Sequence, residues 1–156
     1  MRRVTFHMAN GLTYTLRVTA HQPDTARVSV RTQQFAVGRP LEFDQSSPRT
    51  SALEYALGAL GAEVVNGVRE FARRRRVHIE YAEALVTADV AGELSYLEVV
   101  GEQATPRLTH VHIKVFVASA DEPAIRRLWT DVLERLALFG TLRRAVPIDL
   151  DLIVTH

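Results

Sequence analysis

Apolar and polar positions alternate with a strand-like period at both ends of the chain and with a helical period in the middle. Arg2 to Met8 and Leu12 to Thr19 are β-branched-rich alternating stretches separated by Ala9-Asn10-Gly11. Asn-Gly is a strong signal for a two-residue hairpin, because both residues accept positive φ. In the second stretch Leu12, Tyr14, Leu16 and Val18 share one face, and Thr13, Thr15, Arg17 and Thr19 share the wetter one. His21 to Asp24 reads as a turn. Ala26 to Gln34 reads as a third strand, continued by Phe35-Ala36-Val37 to a turn at Gly38-Arg39-Pro40, and Leu41 to Gln45 as a short extended piece.

The stretch from Ser47 to Arg76 then reads as one long helix, opened by Ser46 or Ser47 with Pro48 in its first turn. Between Ala52 and Val65 its only charged residues are Glu54 and Glu63. A helix this apolar on all sides belongs in a core or between subunits. Gly58, Gly61 and Gly67 each lower helix propensity by about 1 kcal/mol relative to alanine, which predicts close approach of another backbone.

Val77 to Asp89 alternates and reads as a strand, Gly92 turns the chain, and Leu94 to Val100 and Leu108 to Ala118 read as two more strands. Ser119 followed three residues later by Glu122 has the form of a capping box. It opens a second helix with Ile125, Leu128, Trp129, Val132, Leu133 and Leu136 on one stripe. Phe139-Gly140 interrupts that helix, Thr141 to Ala145 forms a further turn, and Ile148 to Val154 closes the chain as a strand. Hairpins plus two helices, without regular βαβ alternation, predict an α+β fold of antiparallel sheets around a long buried helix. No repeat or linker divides it, so residues 1–156 read as a single domain.

Composition narrows the chemistry. The chain has no cysteine, which excludes disulfides, thiolate metal sites and every thiol-based mechanism. A net charge of +1 gives no global pull toward nucleic acid or an anionic membrane. The N-terminus is too polar for a secretory signal and no apolar run is long enough for a membrane span, so a cytoplasmic protein is expected. No motif points to a cofactor.

Three stretches together resemble the OsmC/Ohr-like family, whose best-known members reduce organic hydroperoxides with a pair of cysteines. VRTQQFAVGRPLEFDQSSPRTSALEYALGAL is similar to the family's strand, turn and Ser-Pro or Asn-Pro approach to a buried Ala-Leu-Gly helix. RRRRVHIEYAEALV matches the strand after that helix, and LERLALFGTLRRAVPIDLDL the family's Glu-Arg-Cys-Pro-Val-x-x-Thr-Leu run and the strand after it. The resemblance implies an intertwined homodimer with its site at the subunit boundary. It also marks the departures. Leu60 stands at the first cysteine's position, or Ala59 does if the approach turn differs by one residue, and Leu136 stands at the second's. Arg49 replaces an acidic residue that orients the family's activating arginine, whose counterpart here is Arg17 or Arg31. Without a thiolate, thiol peroxidase chemistry is absent.

Other candidate chemistry is sparse. Glu54 and Glu63 are nine residues apart and fall on opposite sides of the helix, so they cannot act as a pair within one subunit. Glu63 lies one turn after Leu60 and borders the implied pocket; the plain alternative is a structural partner, an arginine or an N–H. His110 and His112 share one face of a strand, but no nearby spacing supplies further zinc ligands, and no metal site is expected unless His78 joins them. The Arg73 to Arg76 run suits a helix C-terminus better than a nucleic-acid patch. Trp129, Phe71 and Tyr55 fall at core spacings. Three functions follow: a homodimer binding a small hydrophobic molecule near Leu60, Glu63 and Leu136; a non-catalytic structural or interaction protein of a stress-response type; or an enzyme of another class using Glu63 with an arginine or histidine.

Overall fold

A computed structural model describes residues 11–156. The strand expected over Arg2 to Met8 and most of the Asn-Gly turn lie outside the described residues. The chain divides into two compact units, Met1–Tyr55 and Ala56–His156.

The first unit carries an antiparallel sheet of β1 (Arg17–Gln22), β2 (Thr25–Val30) and β3 (Gln33–Val37), in that order. Residues 12–16 are not strand, and β1 runs through His21 and Gln22, so the turn is only Pro23-Asp24. The expected single strand from Ala26 to Gln34 is a hairpin, turning at Arg31-Thr32 with Arg31 at φ 52. A left-handed arginine gives no turn signal of the Asn or Gly kind, which is why the pattern read through it. Leu41 to Gln45 is irregular. There the Asp44 carboxylate accepts from the Ser46 hydroxyl and amide, and these bonds hold its pKa below the usual carboxylate range. Gly38 donates its amide to the Thr50 carbonyl at 2.8 Å, and a Cβ at Gly38 would lie 3.1 Å from that oxygen.

The long helix, α1 (Ala52–Arg74), starts later than expected. Its N-terminus is closed by a reciprocal box: the Ser51 amide donates to the Glu54 carboxylate at 2.7 Å and the Glu54 amide to the Ser51 hydroxyl at 3.2 Å. Ser51→Ala is expected to destabilise the protein by about 1 kcal/mol in urea denaturation. The Ser51 amide, then its hydroxyl, depress the pKa of Glu54. A depressed carboxylate contributes stability above its unfolded pKa and loses it as pH falls through the folded one. Ser51→Ala keeps the Ser51 amide, the larger cause, so most of this pH-dependent contribution should survive in the variant, and the deficit should shrink only slightly under acid conditions.

In the second unit α1 is followed by β4 (Tyr81–Ala91), α2 (Glu93–Tyr96), β5 (Arg107–Ala118), α3 (Glu122–Leu133), α4 (Ala137–Leu142) and β6 (Ile148–Thr155). The sheet order is β4-β5-β6. β4 and β5 are antiparallel, but β5 and β6 are parallel, because α3 and α4 carry the chain back across the sheet. The segment from Leu94 to Val100, expected as a strand, begins as a short helix and finds no strand partner among the described residues. Asp121, not Ser119, caps α3 by accepting the Ala124 amide at 3.0 Å; the Ser119 hydroxyl instead donates to the His78 carbonyl at 2.7 Å. Gly140 lies inside α4 rather than breaking a helix.

The inward positions of the sheet, Val111, Ile113, Val115 and Val117 among them, pack with Leu60, Val64, Val68 and Ala72 of α1 and with Ile125, Leu128 and Val132 of α3. Gly61 and Gly67 make room for side chains rather than for a backbone. A Cβ at Gly61 would lie 2.7 Å from a Val86 methyl, and one at Gly67 2.6 Å from a Leu136 methyl, while Gly58 has nothing within 4 Å. Only one stripe of α1 is buried. Ala56, Gly58, Ala59, Ala62 and Asn66 are exposed on the chain.

Candidate functional site

The two positions implied as former thiols are both occupied by leucines of the second unit's core. Leu60 is 0% exposed and Leu136 8% exposed, and both belong to one contiguous hydrophobic cluster. Fully burying a leucine is worth about 1.5–3 kcal/mol, so packing alone accounts for leucine at each position. Leu136 is the residue before α4, with extended backbone at φ −89 and ψ 116, and its side chain reaches the space left by Gly67.

Because Leu136 has no polar side chain, α4 cannot be capped locally. Glu63 caps it from α1. One carboxylate oxygen accepts the Leu138 amide and the other the Phe139 amide, both at 2.8 Å. Each oxygen thus has a backbone donor, and among the described residues no imidazole or guanidinium bonds to this carboxylate. The arrangement links two helices and satisfies two amides that a short helix otherwise leaves open. Ala59, one residue before Leu60, is exposed with Ala56 and Ala62 on the uncovered side of α1.

The arginines implied by resemblance lie in the first unit. Arg17 opens β1 opposite Ser29, and Arg31 sits at the tip of the β2–β3 hairpin; both are exposed and neither guanidinium is bonded among the described residues. Arg49 donates to the Thr25 hydroxyl and borders a cleft of about 540 Å³ with Arg39, Asp24, Glu42 and Asp44. Arg39 is paired with Asp24 at 3.4 Å. A second cleft, about 560 Å³, runs along β6 beside Trp129 and Arg126. Neither cleft is lined by Ala59, Leu60, Glu63 or Leu136.

Arg73 and Arg74 both bond to Glu70, and Arg75 reaches Asp131 at 2.7 Å, as a solvated helix end would. His110 and His112 do share the outward face of β5, but their partners come from β6. His110 bonds Asp149 and His112 bonds Asp151, each at 2.8 Å between residues 39 apart in sequence. The alternation of Ile148-Asp149-Leu150-Asp151-Leu152 marks both aspartates as outward-facing; what sequence spacing lacked was the parallel pairing that sets them beside the histidines.

Most of the chain's path matches known structures. An OsmC-like protein from Mycoplasma pneumoniae superposes with a TM-score of 0.75 at 14% identity, covering 93% of this chain and 99% of that one. A hypothetical protein from Aquifex aeolicus VF5 gives 0.73 at 10% identity, over 93% and 98% of the two chains. The organic hydroperoxide resistance protein OsmC from Legionella pneumophila gives 0.67 at 13% identity, over 92% and 99%. No protein-family model and no curated protein sequence matches the chain. The chain has the OsmC/Ohr fold, without the cysteines.

Proposed function

We propose that this chain is a cysteine-less relative of the OsmC/Ohr proteins, one domain over residues 1–156, acting in the cytoplasm as a non-catalytic homodimer, an interaction module on a redox-enzyme scaffold. The observation that carries this reading is the burial of Leu60 and Leu136 in the chain's own core, together with the engagement of both Glu63 oxygens by backbone amides. A thiol site converted to packing has no room for a peroxide and no nucleophile to meet it. Self-association is supported by the exposed apolar side of α1, where Ala56, Gly58, Ala59 and Ala62 offer a surface that a second helix approaches closely.

That same surface favours a second reading, a small hydrophobic molecule held between two protomers near Ala59. An enzyme built on Glu63 has less support, since its carboxylate already has a backbone donor on each oxygen. Native mass spectrometry of freshly purified protein, with a hydroperoxide consumption assay, separates the three. The expected result is a dimer without excess mass and no turnover of cumene hydroperoxide with a dithiol reductant. A discrete extra mass establishes the ligand-binding reading, turnover the enzymatic one, and a monomer at tens of micromolar overturns the assembly. Ala59→Arg should yield a monomer with unchanged circular dichroism.

A further inference from the structure

β6 is an outer strand of its sheet, and the cleft of about 560 Å³ beside Trp129 and Arg126 runs along it. Val111 donates its amide to the Pro147 carbonyl at 2.9 Å, and Ser119 donates its amide to the Thr155 carbonyl at 3.0 Å. In a parallel ladder every second residue of a strand bonds to a given neighbour. This register therefore turns the backbone groups of Asp149, Asp151 and Ile153 toward β5, and the amides and carbonyls of Leu150 and Leu152 away from it. Among the described residues no backbone group outside the ladder bonds to those edge groups. Sheet edges are commonly blunted by proline, lysine or a bulge. β6 has none of these: Ile148–Thr155 holds no proline or lysine and pairs with β5 in unbroken register, whereas β4, the opposite edge, shifts register between Asp89 and Val90.

We propose that this groove takes an extended peptide of alternating apolar and acidic residues as a fourth strand, its backbone bonded to Leu150 and Leu152. Strand addition of this kind draws affinity from main-chain bonds and specificity from alternate side chains. Side chains on the helix side of the added strand meet the Trp129 indole with Leu150 and Leu152, and those on the other side meet Lys114. Charge decides for acidic residues there. Asp151 is engaged by His112 at 2.8 Å, and no ion pair among the described residues includes Lys114, so its ammonium is available to a carboxylate. Arg126 pairs with Glu122 one turn away at 2.6 Å, an exposed contact of a kind that contributes little and yields readily to a second carboxylate. The groove shares no residue with the exposed side of α1 or with Leu60 and Leu136, so it stands whether or not the chain dimerises through α1.

Trp129 is the chain's single tryptophan and reports on the groove directly. The test titrates the full chain with a labelled eight-residue peptide of alternating valine and glutamate, read by Trp129 emission and by anisotropy of the label. The expected result is saturable binding with a blue shift of the emission, and weaker binding of the valine–lysine counterpart. Methylating the amide nitrogens of either the valines or the glutamates keeps every side chain, and one of these two forms should lose binding because its β6-facing donors are gone. Lys114→Glu should weaken the glutamate peptide at least about tenfold at unchanged circular dichroism. No binding at millimolar peptide, equal binding of both methylated forms and the parent peptide, or undiminished affinity in Lys114→Glu overturns the site. An emission shift that follows protein concentration without peptide makes a second copy the occupant and overturns it equally.

Discussion

Leu60→Ala is expected to cost about 3–4 kcal/mol of stability, measured as a shift in the urea midpoint at unchanged m-value. Leu60 is completely buried on α1 and packs in one cluster with β5 and α3, so truncation removes apolar burial and leaves a cavity that rigid neighbours on three elements cannot close. A value under about 1 kcal/mol would mean that the space around residue 60 is open. The same position gives a direct probe of access, because the chain contains no cysteine to interfere. Leu60→Cys should be silent to a thiol reagent in the folded protein and react fully in urea, since a thiol in apolar surroundings stays protonated and inert. Rapid labelling of the native protein would show a pocket where the structure has packing.

The long helix was legible because apolar residues crowd one 14-residue window, and the strand β5 because polar and apolar residues alternate from His110 to Val115. The misreadings share a physical origin: each hinged on a partner distant in sequence. Arg31 turns a hairpin in a left-handed conformation that the strands on either side impose, with no local turn residue to announce it. Leu94 to Val100 has strand composition, but the sheet already has its three members in β4, β5 and β6, and the segment curls into a turn of helix after Gly92 at φ 77. Ser119 looks like a cap, yet its hydroxyl is drawn to the His78 carbonyl and Asp121 takes its role. At the candidate site the absence of any thiol was readable directly, and the resemblance singled out Leu60 or Ala59 and Leu136. That the two leucines sit in one core, and that Glu63 closes a helix more than seventy residues away, was not.

Glu63→Ala should lower stability by about 2–3 kcal/mol, because it removes two charge-assisted bonds at once and leaves the Leu138 and Phe139 amides without their acceptor. For a chain of this length that is a fall in Tm on the order of 5–10 °C. Glu63→Gln should cost less, since one amide oxygen can still accept while its NH₂ group confronts the other backbone donor. The loss should also be local. Hydrogen exchange at Leu138 and Phe139 should accelerate more than exchange in the middle of β5, because α4 is a six-residue helix with no cap of its own. Stability within about 0.5 kcal/mol of the parent in Glu63→Ala would leave the clamp without energetic content and return the carboxylate to the list of groups free for chemistry. If the clamp holds, Glu63 is committed to joining α1 to α4. Glu63 then stabilises the packing in which Leu60 and Leu136 are buried.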